Sequence, residues 1–188
     1  MADLPSLLPS FHSLISLMEE HAPKRLTDAV AMAAVGLSDP FAIGMGIDFE
    51  RLDDSGCVAT LPDRWRNRDR DGRPHPSAIT ALAQLATRES WARHVDVRVV
   101  KMRLSRLELR CDGTVPAGDL RLSYVCEHDE REAALLRLRS TGRSRASCQT
   151  RLFDSAGRLV GEIDLDWELE GKPLLSRGQG SAHATKGL

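Results

Sequence analysis

The chain lacks paired cysteines. Cys57, Cys111, Cys126 and Cys148 stand far apart in strand-like stretches, with no C-x-x-C among them. That scatter excludes a disulfide scaffold or a zinc ribbon and reads as buried free thiols in a reducing cytoplasm. Histidine offers no metal site either, because His12, His21, His94, His128 and His183 show no ligand-like spacing. No apolar run approaches the length of a membrane span. The N-terminal stretch has no basic n-region and is interrupted by Pro5, Pro9, His12 and Glu19, which argues against a signal peptide. An excess of charge is also missing: 26 basic and 27 acidic side chains leave a net charge of −1, a poor balance for a general nucleic-acid binder. No internal repeat is visible.

What is present fits one globular domain with short appendages, since 188 residues at 41% hydrophobic content suffice for a single core. Residues 1–40 read as a helical segment packing on the domain, 41–170 as the domain itself, and 171–188 as a disordered tail poor in groups to bury. Ser10 suits the cap of a first helix with the stripe Phe11, Leu14, Ile15 and Met18. A second helix carries Val30, Ala33, Ala34 and Leu37 and stops at Gly36 and Asp39-Pro40. Strands are expected over 43–51 and 56–62, joined by the turn Asp53-Asp54-Ser55-Gly56. A loop (63–75) and an apolar helix (76–94) follow. The extended stretch 97–111 changes apolar phase twice, which predicts two bulges and strong curvature. Residues 119–126 alternate as a strand, and the charged stretch 127–140 suits a short helix. The closing hairpin is the clearest element. Ala146, Cys148, Thr150 and Leu152 precede the turn Asp154–Gly157, and Leu159, Gly161, Ile163, Leu165, Trp167 and Leu169 continue the same period of two. The order fits an α+β domain in which a curved antiparallel sheet wraps one central helix, with two further helices at the N-terminus.

Chemistry concentrates between Trp65 and Ala86. An arginine-crowded loop passes Asn67 and Gly72 to His75 and opens directly into a helix with almost no charge. A helix so apolar on all sides is expected to be enveloped by the fold. Its first turn brings free N–H groups and the positive end of the helix dipole to whatever lies beyond His75. Such an end can hold a polarised carbonyl oxygen or a phosphate.

The pattern Asn67…Gly72…His75…Ala78…Leu82-Ala83, with the Asp154–Gly157 hairpin, resembles the hotdog-fold thioesterases of the acyl-CoA thioesterase superfamily over roughly Phe41 to Leu169. The resemblance implies a homodimer, or a dimer of dimers, with an acyl-thioester site between subunits. It further implies a role in fatty acid or polyketide metabolism. No separate cofactor is implied: coenzyme A or phosphopantetheine, the latter on an acyl carrier protein, arrives as part of the substrate. Asn67 and His75 would position the thioester and the attacking water. The chain departs from the pattern at two positions. Pro76 replaces the usual glycine and has no N–H, so Ser77 N–H would take the oxyanion. Gln84 replaces the usual Asp or Glu nine residues beyond the histidine. An amide orients water or polarises a carbonyl but takes no proton at neutral pH. Two other readings therefore stay open. One is a non-catalytic acyl-thioester or lipid binder. The other is a 3-hydroxyacyl-thioester dehydratase, suggested by Gly72-Arg73-Pro74 and Ala81-Leu82-Ala83-Gln84, with Asp69 and Thr80 near its acid and base positions.

Arg66, Arg68, Arg70 and Arg73 in the loop, and Arg103 and Arg106 on the long strand, are the candidates for the coenzyme's phosphates, since guanidinium forks match phosphate oxygens. Self-pairing with Asp63, Asp69 and Asp71 is the competing reading for the loop, and pairing with Glu162, Asp164, Asp166 and Glu168 for the strand arginines. Asp63 and Glu89 are the carboxylates nearest in sequence to the site. Trp65 and Trp91 read as packing residues ahead of substrate platforms.

Overall fold

A computed structural model describes residues 40–173. The two expected N-terminal helices and nearly all of the expected tail lie outside these residues. The described elements are α1 (Pro40–Met45), β1 (Asp48–Asp53), β2 (Gly56–Leu61), a 3-10 turn (Trp65–Asn67), α2 (Pro76–Ala92), β3 (Lys101–Cys111), β4 (Leu120–Val125), α3 (His128–Thr141), β5 (Arg143–Phe153) and β6 (Leu159–Glu170). The six strands form one antiparallel sheet in the order β1-β2-β4-β5-β6-β3.

The hairpin β5–β6 follows its pattern. Ala146, Cys148, Thr150 and Leu152 are buried on one face with Ile163, Leu165, Trp167 and Leu169. The opposite face is wet and charged. Across it Arg103 meets Glu168, Arg110 meets Asp164, and Arg143 lies 3.0 Å from Glu170. Asp154 shapes the turn by accepting from the N–H groups of Ala156 (3.0 Å) and Arg158 (2.9 Å) and from the Arg158 guanidinium (2.8 Å). The Arg158 N–H, followed by its guanidinium, holds the Asp154 carboxyl below the usual carboxylate range.

The buried face closes on α2, whose Ala78, Ile79, Leu82, Ala83, Leu85, Ala86 and Trp91 enter the core. Each large apolar side chain so buried contributes about 1.5–3 kcal/mol. Polar handles fix the helix against the sheet. Trp167 Nε1 donates to Thr87 Oγ1 (3.0 Å), and Trp91 Nε1 donates to Tyr124 Oη (3.1 Å). Burial in this cluster pushes the Cys148 thiol up to about 11 and the Cys57 thiol up to about 12.

Four expectations are corrected. Residues 40–45 are helical, so the first strand begins at Asp48 and not at 43. Pro40 opens α1, because the first helical position has no partner for an N–H anyway. Gly46 closes it at φ +70, and a Cβ there would strike the Arg64 guanidinium. Second, the long strand begins only at Lys101 and carries one bulge, between Leu104 and Arg106. Its expected first bulge is a turn in which Asp96 captures the N–H of Arg98 (3.0 Å) and its carbonyl accepts from Val99 (3.0 Å) and Val100 (2.9 Å). Third, α2 is not enveloped on all sides. Ser77, Gln84 and Arg88 are exposed along one stripe, with Thr80 and Ala81 half-buried between them. Fourth, Trp91 packs as expected but Trp65 is 77% exposed.

One irregularity shapes the surface. Pairing of β4 with β5 runs only from Arg121–Phe153 to Tyr124–Thr150, whereas β5 pairs with β6 from Arg143 to Phe153. Beyond Val125, β4 follows β2, since Cys126 N–H donates to Ser55 O (2.8 Å). The widening gap is flanked by α3, which buries Ala134, Leu135 and Leu138.

Candidate functional site

The 63–75 loop is built by its own polar groups. Asp63 grips Arg68 with two bonds of 2.6 and 2.7 Å, and this ion pair holds the carboxyl below its usual range. Asp69 Oδ1 accepts from the N–H groups of Asp71 (2.9 Å) and Arg73 (3.0 Å) and so fixes the loop tip. Arg68 and Pro74 bridge the base of the tip.

Asn67 is the anchor. It is 2% exposed, and its Nδ2 donates to Met45 O (2.9 Å) and Pro62 O (2.8 Å). Two carbonyls around Nδ2 fix the amide orientation, because the flipped amide would set an oxygen against both. Oδ1 is then buried without a partner among the described residues. The Asn67 carbonyl accepts the His75 N–H at 2.7 Å, so anchor and helix start form one unit.

His75 caps α2 in full. Its carbonyl accepts from Ala78 (2.8 Å) and Ile79 (3.2 Å), and its Nδ1 accepts from Ser77 N–H (3.1 Å). With Pro76 lacking a donor, no N–H of the first turn is left over. The Ser77 N–H expected for the oxyanion is thus occupied by the His75 ring. An acceptor at Nδ1 places the proton of the neutral ring on Nε2, which becomes the outward donor. Gln84 is exposed on the Ser77 side of α2, two turns or ~10 Å further along. The expected residues therefore fall into a buried anchor, Asn67, and an exposed row, His75, Ser77 and Gln84.

The arginines divide more sharply. Arg68 is spent on Asp63, Arg103 on Glu168, and Arg106 on Glu108 with Asp166 at 3.8 Å. Arg66 lies over the Trp65 ring, 5.2 Å from its centroid. Arg70 and Arg73 are exposed and have no carboxylate partner among the described residues. Of the carboxylates near the site, Asp63 is clamped and Glu89 lies 3.5 Å from Arg88. The dehydratase positions are occupied too: Asp69 holds the loop tip, and Thr80 Oγ1 donates to Ser77 O (3.1 Å).

Of Trp65 and Trp91, for both of which the sequence favours packing over a substrate platform, Trp65 is the one left on the surface. The sign of this in the sequence is a lone apolar side chain between Arg64 and Arg66, outside any apolar period. Two clefts of about 840 and 420 Å³ border β4 and β5, the larger lined by Tyr124, Cys126, Arg137 and Cys148, the smaller by Thr60, Arg121 and Phe153. Neither includes Asn67, His75, Ser77 or Gln84. Among the described residues no group of His, Cys, Asp and Glu is arranged to hold a metal ion, and no helix is long and apolar enough to cross a membrane.

No family model and no curated protein matches the sequence. Solved structures do match in shape. A Pseudomonas aeruginosa protein of unknown function, described as a probable thioesterase, superposes with a TM-score of 0.69 at 18% identity, covering 80% of this chain and 97% of its own. A glutamine-to-alanine variant of a second P. aeruginosa thioesterase gives 0.62 at 17% identity over 75% and 94% of the two chains. A glutamine-to-alanine variant of a Staphylococcus aureus thioesterase gives 0.57 at 11% identity over 70% and 99%. The chain therefore has the hotdog fold that these structures share.

Proposed function

We propose that the protein hydrolyses acyl thioesters at a site along the exposed stripe of α2, completed by a second copy of the chain. The observation that carries this reading is the row His75–Ser77–Gln84, which puts polar groups on the open side of an otherwise buried helix in a fold shared with thioesterases. In the protomer the row lies on open surface, so a second wall must come from a partner. Strand β3 is an eleven-residue edge bonded on one side only, and its Met102, Leu104, Leu107 and Leu109 are only half-buried. Pairing two such edges satisfies both strands and brings a partner toward α2.

In the proposed step His75 Nε2–H donates to the thioester oxygen, supported by the α2 dipole. Ser77 N–H joins only when the ring lets go of it. Asn67, buried, acts by holding the His75 backbone in place, and the Gln84 amide orients a water. Its oxygen adds to the carbonyl carbon, the C–S bond breaks, and the sulfur leaves as a thiol carrying a water proton, with a carboxylic acid as the other product. Without a carboxylate on the stripe the step is slow.

That same feature favours a second reading, a non-catalytic acyl-thioester binder. Incubation with a panel of acyl-CoA thioesters, followed by detection of free thiol, separates the two. Release above the buffer rate is expected for the enzyme; tight binding without release identifies the binder. Q84E restores a general base, worth on the order of 10²–10⁴ in rate, and is expected to raise thiol release at least tenfold. An unchanged rate in Q84E would remove Gln84 from the site.

A further inference from the structure

Trp65 is costly as it stands. An indole 77% exposed gains nothing from burial, and Arg66 covers part of one ring face at 5.2 Å. The loop offers the chemistry to use the remaining surface. Among the described residues Arg70 and Arg73 carry no carboxylate partner, whereas Arg68 is neutralised by Asp63. The Asp69 carboxylate is committed to backbone N–H groups and keeps the tip in one shape. A flat aromatic surface with one guanidinium over it, and two further exposed guanidinia on the same loop, is complementary to a planar base carrying phosphates. A carrier-borne pantetheine arm has one phosphodiester and no base, so it leaves the indole unused.

We infer that Trp65, with Arg66, is the stacking platform for the adenine of coenzyme A, and that this residue makes the protein selective for coenzyme thioesters over carrier-bound ones. The inference deepens the thioester reading and rests on it for the identity of the coenzyme.

The probe is adenosine 3′,5′-bisphosphate, titrated onto the full chain. Trp91 and Trp167 are 3% and 2% exposed, so the accessible indole emission belongs to Trp65. Saturable quenching is expected. Calorimetry then gives the affinity: W65A is expected to weaken bisphosphate binding by about tenfold or more, and W65F to retain most of it. An acyl-CoA and the matching acyl-pantetheine provide the second arm, with W65A lowering kcat/KM for the first and leaving the second unchanged. Equal affinity in wild type and W65A, or equal loss on both thioesters, overturns the inference while the hydrolase reading stands. So does a W65A protein that has become monomeric, since the indole then belongs to the subunit contact. Bisphosphate binding lost in W65A from a protein that cleaves no thioester keeps the platform and ends the hydrolase reading. Because Trp65 is exposed, W65A leaves the core intact, which an unchanged melting curve verifies.

Discussion

His94 shows how a single ring couples the core to solvent pH. It lies edge-on to Trp91 (centroids 6.4 Å apart), and its Nε2 is buried without a hydrogen-bond partner among the described residues. Burial, and next the positive charge of Arg131, hold its pKa below the ordinary 6.5. The folded state thus favours the neutral ring. The stability this provides is present above about pH 6.5 and is lost as pH falls toward the folded value. Thermal melts between about pH 8 and pH 5 are expected to show a falling midpoint in the wild type and a flatter profile in H94Q. A variant with the same slope would remove His94 as the source. Asn67 makes the complementary point about legibility. Its identity marked it as a candidate from sequence, yet its Nδ2 is spent on Met45 and Pro62, carbonyls that sequence spacing could not bring together.

At the scale of elements, legibility follows periodicity. The β5–β6 hairpin and α2 were readable because each repeats one pattern over ten or more residues. The errors fell where a residue serves two grammars. Pro40 can end one helix or begin another, and Asp96 can sit in a strand or fold back on its own backbone. The open stripe of α2 is hard to read because Ser77, Thr80, Ala81 and Gln84 are small or uncharged, and Arg88, its one charged member, stands near the helix end. Gly142 exposes a constraint of another kind. It ends α3 at φ +76, its carbonyl accepts from Gly171 N–H (2.8 Å), and a Cβ would sit 2.6 Å from Gly171 O and 2.9 Å from Pro173 Cδ. G142A must strain the backbone or push the end of β6 away. It is expected to cost about 1–3 kcal/mol, read from urea denaturation. A change below half a kcal/mol would show that the β6 end yields freely.

At the scale of the whole molecule, β3 is the long edge of the described sheet. Its three arginines are each met by a carboxylate within the protomer, Arg103 by Glu168, Arg106 by Glu108 and Arg110 by Asp164, so edge pairing brings no row of bare arginines together. Sedimentation of the full chain is expected to show a species of twice the chain mass. A monomer at micromolar concentration would leave the α2 stripe without its second wall and weaken the hydrolase reading more than any single substitution. The six-stranded architecture was foreseeable from the order of patterns along the chain. A subunit contact was suggested only by resemblance, because edges and half-buried side chains become visible once strands have neighbours.

The parting of β4 from β5 has a mechanical consequence. Directional backbone bonds stitch the two halves of the sheet at the Arg121–Phe153 end, while at the other end, among the described residues, no such bond joins them and α3 packs its apolar flank on β5. Bonds of the first kind resist shear; surfaces of the second kind slide. The molecule is thus stiff along one margin and compliant along the other, and whatever lodges in the larger cleft works against the compliant side.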